Sequence, residues 1–183
     1  MRLEYPLTSE SVVFDLGGYK GDFAFEIHRK YNCFVYVFEP VQKFYGDCVE
    51  RFRGNDKVKI FPYGLSNVTT FAFISDEADA STVVRNHSHE SEKIWLMEFA
   101  EVFEKLDIKC INLLKINVEG SEFLIVPHLI QSGLIGRIDN IQVQFHTFYP
   151  NAKLRRKIIR RRLSKTHTEK WNYPFVWESW ARK

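Results

Sequence analysis

The sequence predicts an α/β fold in which a parallel β-sheet carries helices on both faces. Three observations support it. Runs of apolar, β-branched and aromatic residues predict buried strands, the segments between them repeat apolar residues at helical spacing, and the two kinds of segment alternate. A sheet of this kind binds its ligands at the carboxyl edge, near the point where the strand order reverses. The five predicted strands are residues 12–15, 34–38, 58–61, 111–118 and 138–145.

A glycine-rich turn follows the first predicted strand. Residues 11–21 (SVVFDLGGYKG) lead from an apolar run through Asp15 to Gly17, Gly18 and Gly21, and a helix marked by Phe23, Ile27 and Tyr31 begins after them. Glycine leaves room for a ligand to approach the backbone, and the free N–H groups at a helix start attract polar ligands. The turn alone is a weak signal, because a purely structural turn has the same composition.

The second strand ends in Glu39 and Pro40, where a carboxylate that accepts the hydroxyls of a ribose is expected. Together with the turn, Glu39 predicts a nucleotide-like ligand. The glycine spacing does not match the G-x-G-x-x-G of dinucleotide sites, and no Gly-Lys-Ser or Gly-Lys-Thr closes the turn as in a P-loop.

The middle of the chain continues this alternation. A helix begins near Pro40, shows an apolar stripe over 41–52 and ends at Gly54. Residues 62–67 predict a loop and 69–74 an extra antiparallel strand. The polar stretch 75–93 predicts a loop near the site. Its two histidines, His87 and His89, form a candidate metal pair, although exposed polar loops often contain histidines.

The last third of the chain supplies the remaining elements. Short apolar stripes predict helices at 99–106 and 121–130, and a basic helix extends from Lys153 to Lys165. Residues 166–173 and 175–180 predict a pair of strands that closes the fold.

Composition limits the class of protein. With 183 residues, 45% of them hydrophobic, the chain predicts a single domain over 1–183. A net charge of +3 does not by itself indicate a polyanion-binding protein. Cys33, Cys48 and Cys110 lack disulfide or zinc spacing and predict thiols in a reducing compartment. No signal peptide and no membrane-spanning run are evident, so we expect a soluble, cytoplasmic protein.

Four motifs, VVFDLGGYKGDFA, VYVFEP, LLKINVEGSEF and IQVQFH, resemble those of the FkbM-type family of S-adenosylmethionine-dependent O-methyltransferases. The resemblance extends over 12–146. It implies the class I methyltransferase fold, a Rossmann-like, doubly wound, mostly parallel seven-stranded sheet with an antiparallel last strand. It also implies S-adenosylmethionine as cofactor. The donor contacts that it implies are Asp15, Leu16, Gly17, Gly18, Tyr19 and Gly21 at the glycine turn, Glu39 and Pro40 at the ribose, Leu65 and Ser66 near the adenine, and Asn117.

Polar residues alternate along the fourth predicted strand at Lys115, Asn117 and Glu119, which a buried strand does not contain without a reason. We include Lys115 among the candidate catalytic residues, and its alternative role is to pair with a core carboxylate. Many FkbM-type sequences have Asp where Asn117 stands. We therefore predict no metal, because the third acidic group is missing.

His146 ends the fifth strand, and we expect it at the same sheet edge as Glu119. A neutral imidazole is the ordinary group for taking a hydroxyl proton at neutral pH. We expect His146 to be the general base, and Glu119 to position the acceptor hydroxyl or to orient the imidazole.

The acceptor itself stays open between three hypotheses. The first is methylation of a hydroxyl on a sugar, glycan or related metabolite. The second is a nucleic-acid methyltransferase that uses the basic helix 153–165 as a polyanion contact, although no N-P-P-Y type motif for amino methylation is present. The third is a non-catalytic, S-adenosylmethionine-binding interaction module. On the basic helix, Leu154, Ile158, Ile159 and Leu163 predict a core-facing stripe opposite a charged face.

Overall fold

The computed structural model of the protein describes residues 2–75 and 91–183, and its secondary structure follows the predicted alternation. The strands are β1 (Val12–Leu16), β2 (Phe34–Phe38), β3 (Val58–Phe61), β4 (Gly64–Ser66), β5 (Thr70–Ser75), β6 (Ser91–Glu98), β7 (Leu113–Ile116), β8 (Asn140–Val143), β9 (His167–Tyr173) and β10 (Trp177–Arg182). The helices are α1 (Asp22–Tyr31), α2 (Gln42–Arg51), α3 (Phe99–Lys105), α4 (Glu122–Gln131) and α5 (Ala152–Leu163), with a short 3₁₀ helix at Leu134–Arg137.

Seven strands form the main sheet in the order β3-β2-β1-β7-β8-β10-β9. The strand pairs β3–β2, β2–β1, β1–β7 and β7–β8 are parallel, and β10 runs antiparallel to its neighbours β8 and β9. This confirms the predicted mostly parallel seven-stranded sheet with an antiparallel last strand. The order reverses between β1 and β7, so the carboxyl ends of these two strands mark the expected ligand site.

Two cores cover the two faces of the sheet, because successive side chains of a strand point in opposite directions. Val13 of β1 packs in a core with Phe23 and Ile27 of α1. Its neighbour Phe14 packs in the other core, which includes Phe103 of α3. The helices therefore lie on both faces, as doubly wound folds require.

A second, three-stranded sheet of order β4-β6-β5 was only partly predicted. The predicted antiparallel strand at 69–74 is confirmed as β5. The predictions of a loop at 62–67 and of a loop extending to residue 93 are wrong, because β4 lies within the first and β6 begins at Ser91. Strand β6 pairs with β4 and β5, and no local sequence pattern predicts that pairing. Residues 76–90, including His87 and His89, lie outside the described residues.

Helix α5 is rotated relative to the sequence-based expectation. Ile159 and Leu163 are buried as predicted, but Leu154 is 60% exposed and Ile158 is 43% exposed. Arg160 turns inward, and its Nη1 donates a hydrogen bond of 2.7 Å to Glu178 on β10; Arg156 also donates to Glu178. The buried carboxylate attracts both guanidinium groups, which excludes two of the aliphatic residues from the core.

The apolar stripe predicted over 41–52 is narrower than expected. Cys48 is the buried residue of α2, and Phe52 is buried just after the helix, whereas Val49 is 43% exposed. Among the described residues, no helix has the length and apolar character needed to cross a membrane.

Candidate active site

A cavity of about 480 Å³ opens at the carboxyl ends of β1, β2 and β7, where the strand order reverses. This volume is in the range of small-molecule sites. Residues of the small sheet contribute one apolar side of the cavity, so β4, β5 and β6 complete a site that the main sheet begins. The lining residues are Gly17, Tyr19, Phe38, Glu39, Pro40, Val41, Phe44, Gly64, Leu65, Ile74, Ile94, Leu96, Asn117, Val118, Glu119 and Ser121.

Glu39 lines this cavity directly after β2. Its two carboxylate oxygens accept hydrogen bonds from the backbone N–H groups of Tyr19 (2.7 Å) and Val41 (2.9 Å). Burial raises the pKa of Glu39 to about 7, although both backbone hydrogen bonds lower it. Each oxygen keeps a lone pair, so an ionised Glu39 can accept two further hydrogen bonds from a ligand in the cavity.

At the three glycines of the turn, the space that a side chain would occupy is filled by other protein atoms. Gly17 has a φ of +77°, and a Cβ there would lie 1.9 Å from the Asn117 carbonyl oxygen. A Cβ on Gly18 would lie 2.2 Å from Val37 Cγ1, and one on Gly21 would lie 2.8 Å from Phe52. Only Gly17 also lines the cavity. At Gly18 and Gly21, neighbouring side chains fill the space on the Cβ side, and donor contact with these two residues stays a prediction.

Asn117 lines the cavity and carries an unpaired acceptor. Its Oδ1 atom is buried and accepts no hydrogen bond from any described residue. A buried amide oxygen without a donor costs free energy, so the site favours a ligand with an N–H or O–H group at this position.

Lys115 and Asp15 lie beneath the turn, outside the cavity lining. Lys115 Nζ is 2.8 Å from Asp15 Oδ1 and donates a 2.7 Å hydrogen bond to the Gly17 carbonyl oxygen. Burial raises the pKa of Asp15, although Lys115 lowers it, and neither carboxylate oxygen receives a well-directed hydrogen bond. The structure therefore shows the alternative role, in which Lys115 pairs with a core carboxylate and holds the turn.

A second polar cluster lies beside the cavity at the ends of β7 and β8. The imidazole of His146 lies between two carboxylates, with Nε2 at 3.3 Å from Glu119 Oε2 and Nδ1 at 3.0 Å from Glu122 Oε1. Glu122 also accepts the backbone N–H of His146 at 2.9 Å. The structure brings Glu119 and His146 together and adds Glu122, which the sequence analysis missed because an acidic residue in the first turn of a helix is common.

These two carboxylates determine the charge of His146. Burial lowers its pKa, but the hydrogen bonds to Glu119 and Glu122 outweigh burial and raise the pKa to about 9. The neutral imidazole is therefore the minor form of His146 at neutral pH, and its role as general base stays a prediction. His146 is an imidazolium in the ligand-free protein, and it can accept a proton only after losing one.

The other predicted residues divide into two groups. Tyr19, Pro40 and Leu65 line the cavity, and the Tyr19 ring lies 4.4 Å from that of Phe44. Leu16 and Ser66 are buried outside the lining. The lining by Ile94 and Leu96 of β6 was not predicted, although their alternation was a possible signal. In residues 2–75 and 91–183, no cluster of three or more His, Cys, Asp or Glu side chains is arranged to hold a metal ion.

The strand order, the reversed β10 and a cavity with an acidic residue after β2 define a class I methyltransferase. Residues 15–175 match the family model of the methyltransferase FkbM domain. The chain belongs to this family. The match confirms the predicted family and the enzyme class, an S-adenosylmethionine-dependent methyltransferase.

Solved structures share the fold at low sequence identity. An rRNA methylase from Streptococcus thermophilus is 12% identical with a TM-score of 0.58, over 96% of this chain and 89% of that chain. The Methanococcus jannaschii fibrillarin pre-rRNA processing protein is 9% identical with a TM-score of 0.59, over 98% and 69%. TrmK of M. capricolum, bound to S-adenosylhomocysteine, is 13% identical with a TM-score of 0.54, over 97% and 65%. No curated protein sequence matches the chain.

Proposed function

We propose that the protein transfers a methyl group from S-adenosylmethionine to a hydroxyl of a sugar, glycan or related metabolite. The observation that carries this proposal is the cluster of His146, Glu119 and Glu122 beside a cavity that suits the donor. Methyl transfer to a hydroxyl requires removal of a proton, which the neutral form of His146 in this cluster would accept.

The residues of the cavity fit S-adenosylmethionine. Glu39 would accept the ribose hydroxyls, and the unpaired Asn117 Oδ1 would accept a hydrogen from the donor's ammonium group. Leu65, Leu96 and Phe44 supply apolar surface for the adenine ring. When bound, the donor supplies an electrophilic methyl group on a sulfonium. The bound S-adenosylhomocysteine of the TrmK structure supports the same assignment.

On the acceptor side, Glu119 lines the cavity and would hold the acceptor hydroxyl, while His146 would take its proton. Because His146 carries a proton at neutral pH, the active form is the minor, neutral imidazole. Glu122 would hold the ring by its Nδ1 atom and keep Nε2 directed toward Glu119.

The test is the pH dependence of methyl transfer. We expect turnover to rise between pH 7 and about 9, because His146 loses its proton with a pKa of about 9. Glu122→Gln removes one of the two carboxylates that raise the pKa of His146, so the rise in turnover should move to lower pH.

His146→Ala should lower turnover about 10²–10⁴-fold with donor affinity retained. Glu104→Gln, an exposed change on α3, is the matched control. If turnover does not change between pH 7 and 9, and His146→Ala leaves turnover unchanged, His146 is not the general base.

A second acceptor class is nucleic acid. Two observations favour it: structural relatives act on rRNA according to their names, and α5 carries a basic surface. Screening methyl transfer onto nucleotide sugars, oligosaccharides and RNA separates the two acceptor classes. Donor binding without transfer to any of them would favour the third hypothesis, a non-catalytic binding module. We place the activity in the cytoplasm, a proposal supported by the three unpaired cysteines.

A further inference from the structure

The outward surface of α5 carries positive charge that nothing in the described chain compensates. Residues 151–165 contain no Asp or Glu. None of the six exposed basic side chains on this surface forms an ion pair with a described residue. Arg156 and Arg160 of the same helix, in contrast, are paired with Glu178 and Glu169. We call the six residues the basic face: Lys153, Arg155, Lys157, Arg161, Arg162 and Lys165.

Two aliphatic side chains lie in the middle of the basic face. Leu154 and Ile158 are four residues apart, so they are neighbours on one side of the helix, and both are exposed. At 3.6 residues per turn, Arg161 and Lys157 flank them on one side, and Arg155 and Arg162 on the other. A single exposed aliphatic residue is ordinary, but an aliphatic pair framed by cations is typical of helices that lie in a membrane interface.

We propose that the basic face docks on the surface of a bilayer containing anionic phospholipids. Leu154 and Ile158 would enter the boundary between headgroups and acyl chains, while the surrounding Lys and Arg side chains would extend to the lipid phosphates. A nucleic acid is a poorer match, because the basic face has no aromatic side chain to stack on a base and has aliphatic groups at its centre.

Docking in this way would bring the active site close to the membrane surface. The guanidinium of Arg155 lies 5.4 Å from the centroid of the Tyr149 ring. Tyr149 in turn packs so closely on Gly120 that a Cβ there would lie 3.1 Å from its ring. Gly120 separates Glu119 and Ser121, which line the cavity. The amino-terminal end of α5 is therefore linked to the acceptor side of the site through two contacts.

Sedimentation with lipid vesicles tests the proposal on the full chain. We expect binding to phosphatidylcholine vesicles that contain phosphatidylglycerol, weaker binding at high salt, and none to phosphatidylcholine alone. Leu154→Ser with Ile158→Ser should weaken binding about tenfold or more, because apolar burial is lost. Lys157→Gln with Arg161→Gln should weaken it by a similar factor. The control is Val49→Ser with Val68→Ser, which changes two aliphatic residues of similar exposure outside α5 and should leave binding unchanged.

Two results would overturn the proposal. The first is a lack of binding to phosphatidylglycerol vesicles by the unmodified protein. The second is vesicle binding that is weakened by the changes at Lys157 and Arg161 but not by those at Leu154 and Ile158. Such binding would depend on charge alone, without insertion of aliphatic side chains. Binding of a single-stranded RNA with the same dependence on Lys157 and Arg161 would in that case assign the face to nucleic acid. Circular dichroism and donor affinity equal to those of the unmodified protein verify that each variant is folded.

Discussion

At the scale of single residues, Glu39 is the proposed ribose contact, and its charge is sensitive to pH. It is nearly fully buried, and burial raises its pKa to about 7, so its charge changes within the physiological range. An ionised carboxylate can accept a hydrogen bond from each of the two ribose hydroxyls. A protonated carboxyl group has one oxygen that donates instead.

We predict that donor affinity falls as the pH is lowered from 8 to 6, because Glu39 takes up a proton with a pKa of about 7. Calorimetric titration with S-adenosylhomocysteine measures this dependence. Glu39→Gln should remove it and weaken binding at pH 8 by about 1.5–3 kcal/mol, the range for hydrogen bonds to a charged group. An affinity that is the same at pH 6 and pH 8 in the unmodified protein would show that Glu39 does not contact the donor.

At the scale of elements, the turn between β1 and α1 depends on close backbone packing against the end of β7. Gly17 and Gly54 have the same φ of +77°, but only at Gly17 would a Cβ meet another atom, the Asn117 carbonyl oxygen. Comparing the two glycines therefore separates backbone strain from steric overlap.

We predict that Gly54→Ala lowers the free energy of unfolding by about 1–2 kcal/mol, the strain of a left-handed alanine. Gly17→Ala should cost clearly more, because the turn must also move away from Asn117, and donor affinity should fall with it. Urea unfolding of both variants measures the difference. Equal losses would mean that the turn relaxes freely and that the contact with Asn117 is unimportant.

The Lys115–Asp15 pair joins β7 to β1 directly below this turn. Both side chains are almost completely buried, so removing one partner leaves the other without compensation. We predict that Lys115→Met lowers the free energy of unfolding by about 3–5 kcal/mol, and that adding Asp15→Leu restores much of the loss. Urea unfolding of the single and double variants tests this. A loss below about 1 kcal/mol for Lys115→Met would indicate that Asp15 is already neutral in the folded protein.

At the scale of the whole molecule, Glu39 and His146 make stability dependent on pH. His146 has a folded pKa of about 9 against an ordinary value of 6.5, and Glu39 has about 7 against 4.5. A raised folded pKa contributes stability that is complete below the ordinary pKa and is lost as the pH rises through the folded value. The two windows are therefore about pH 4.5 to 7 for Glu39 and about 6.5 to 9 for His146.

We predict that the free energy of unfolding of the ligand-free protein decreases from pH 6.5 to 9 by on the order of 3 kcal/mol through His146, at about 1.4 kcal/mol per pKa unit. Urea unfolding at a series of pH values measures it. His146→Gln should flatten the curve above pH 7 and leave the Glu39 window in place. Stability that rises between pH 7 and 9 would contradict the imidazolium assignment.

Part of this molecule could be predicted because it depends on neighbours in the sequence. Runs of apolar residues specify β1, β2, β3, β7 and β8, and a parallel sheet necessarily brings the ends of adjacent strands to one edge. For that reason Glu39 could be placed in the cavity, and Glu119 beside His146, from strand ends alone. That residues 1–183 form a single domain stays a prediction.

The rest was decided by contacts between segments far apart in the chain. Strand β6 forms by pairing with β4 and β5, and it brings Ile94 and Leu96 into the cavity. The inward turn of Arg160 depends on Glu178, which the chain places on β10, and no pattern within α5 contains that information.

The sequence by itself therefore determined the sheet, the glycine turn and the position of Glu39 after β2, because backbone conformation and side-chain alternation are local properties. Only the tertiary structure decided the charge of His146 and the outward direction of Leu154 and Ile158. Electrostatic energies and burial depend on distances between groups that the chain brings together only when it folds.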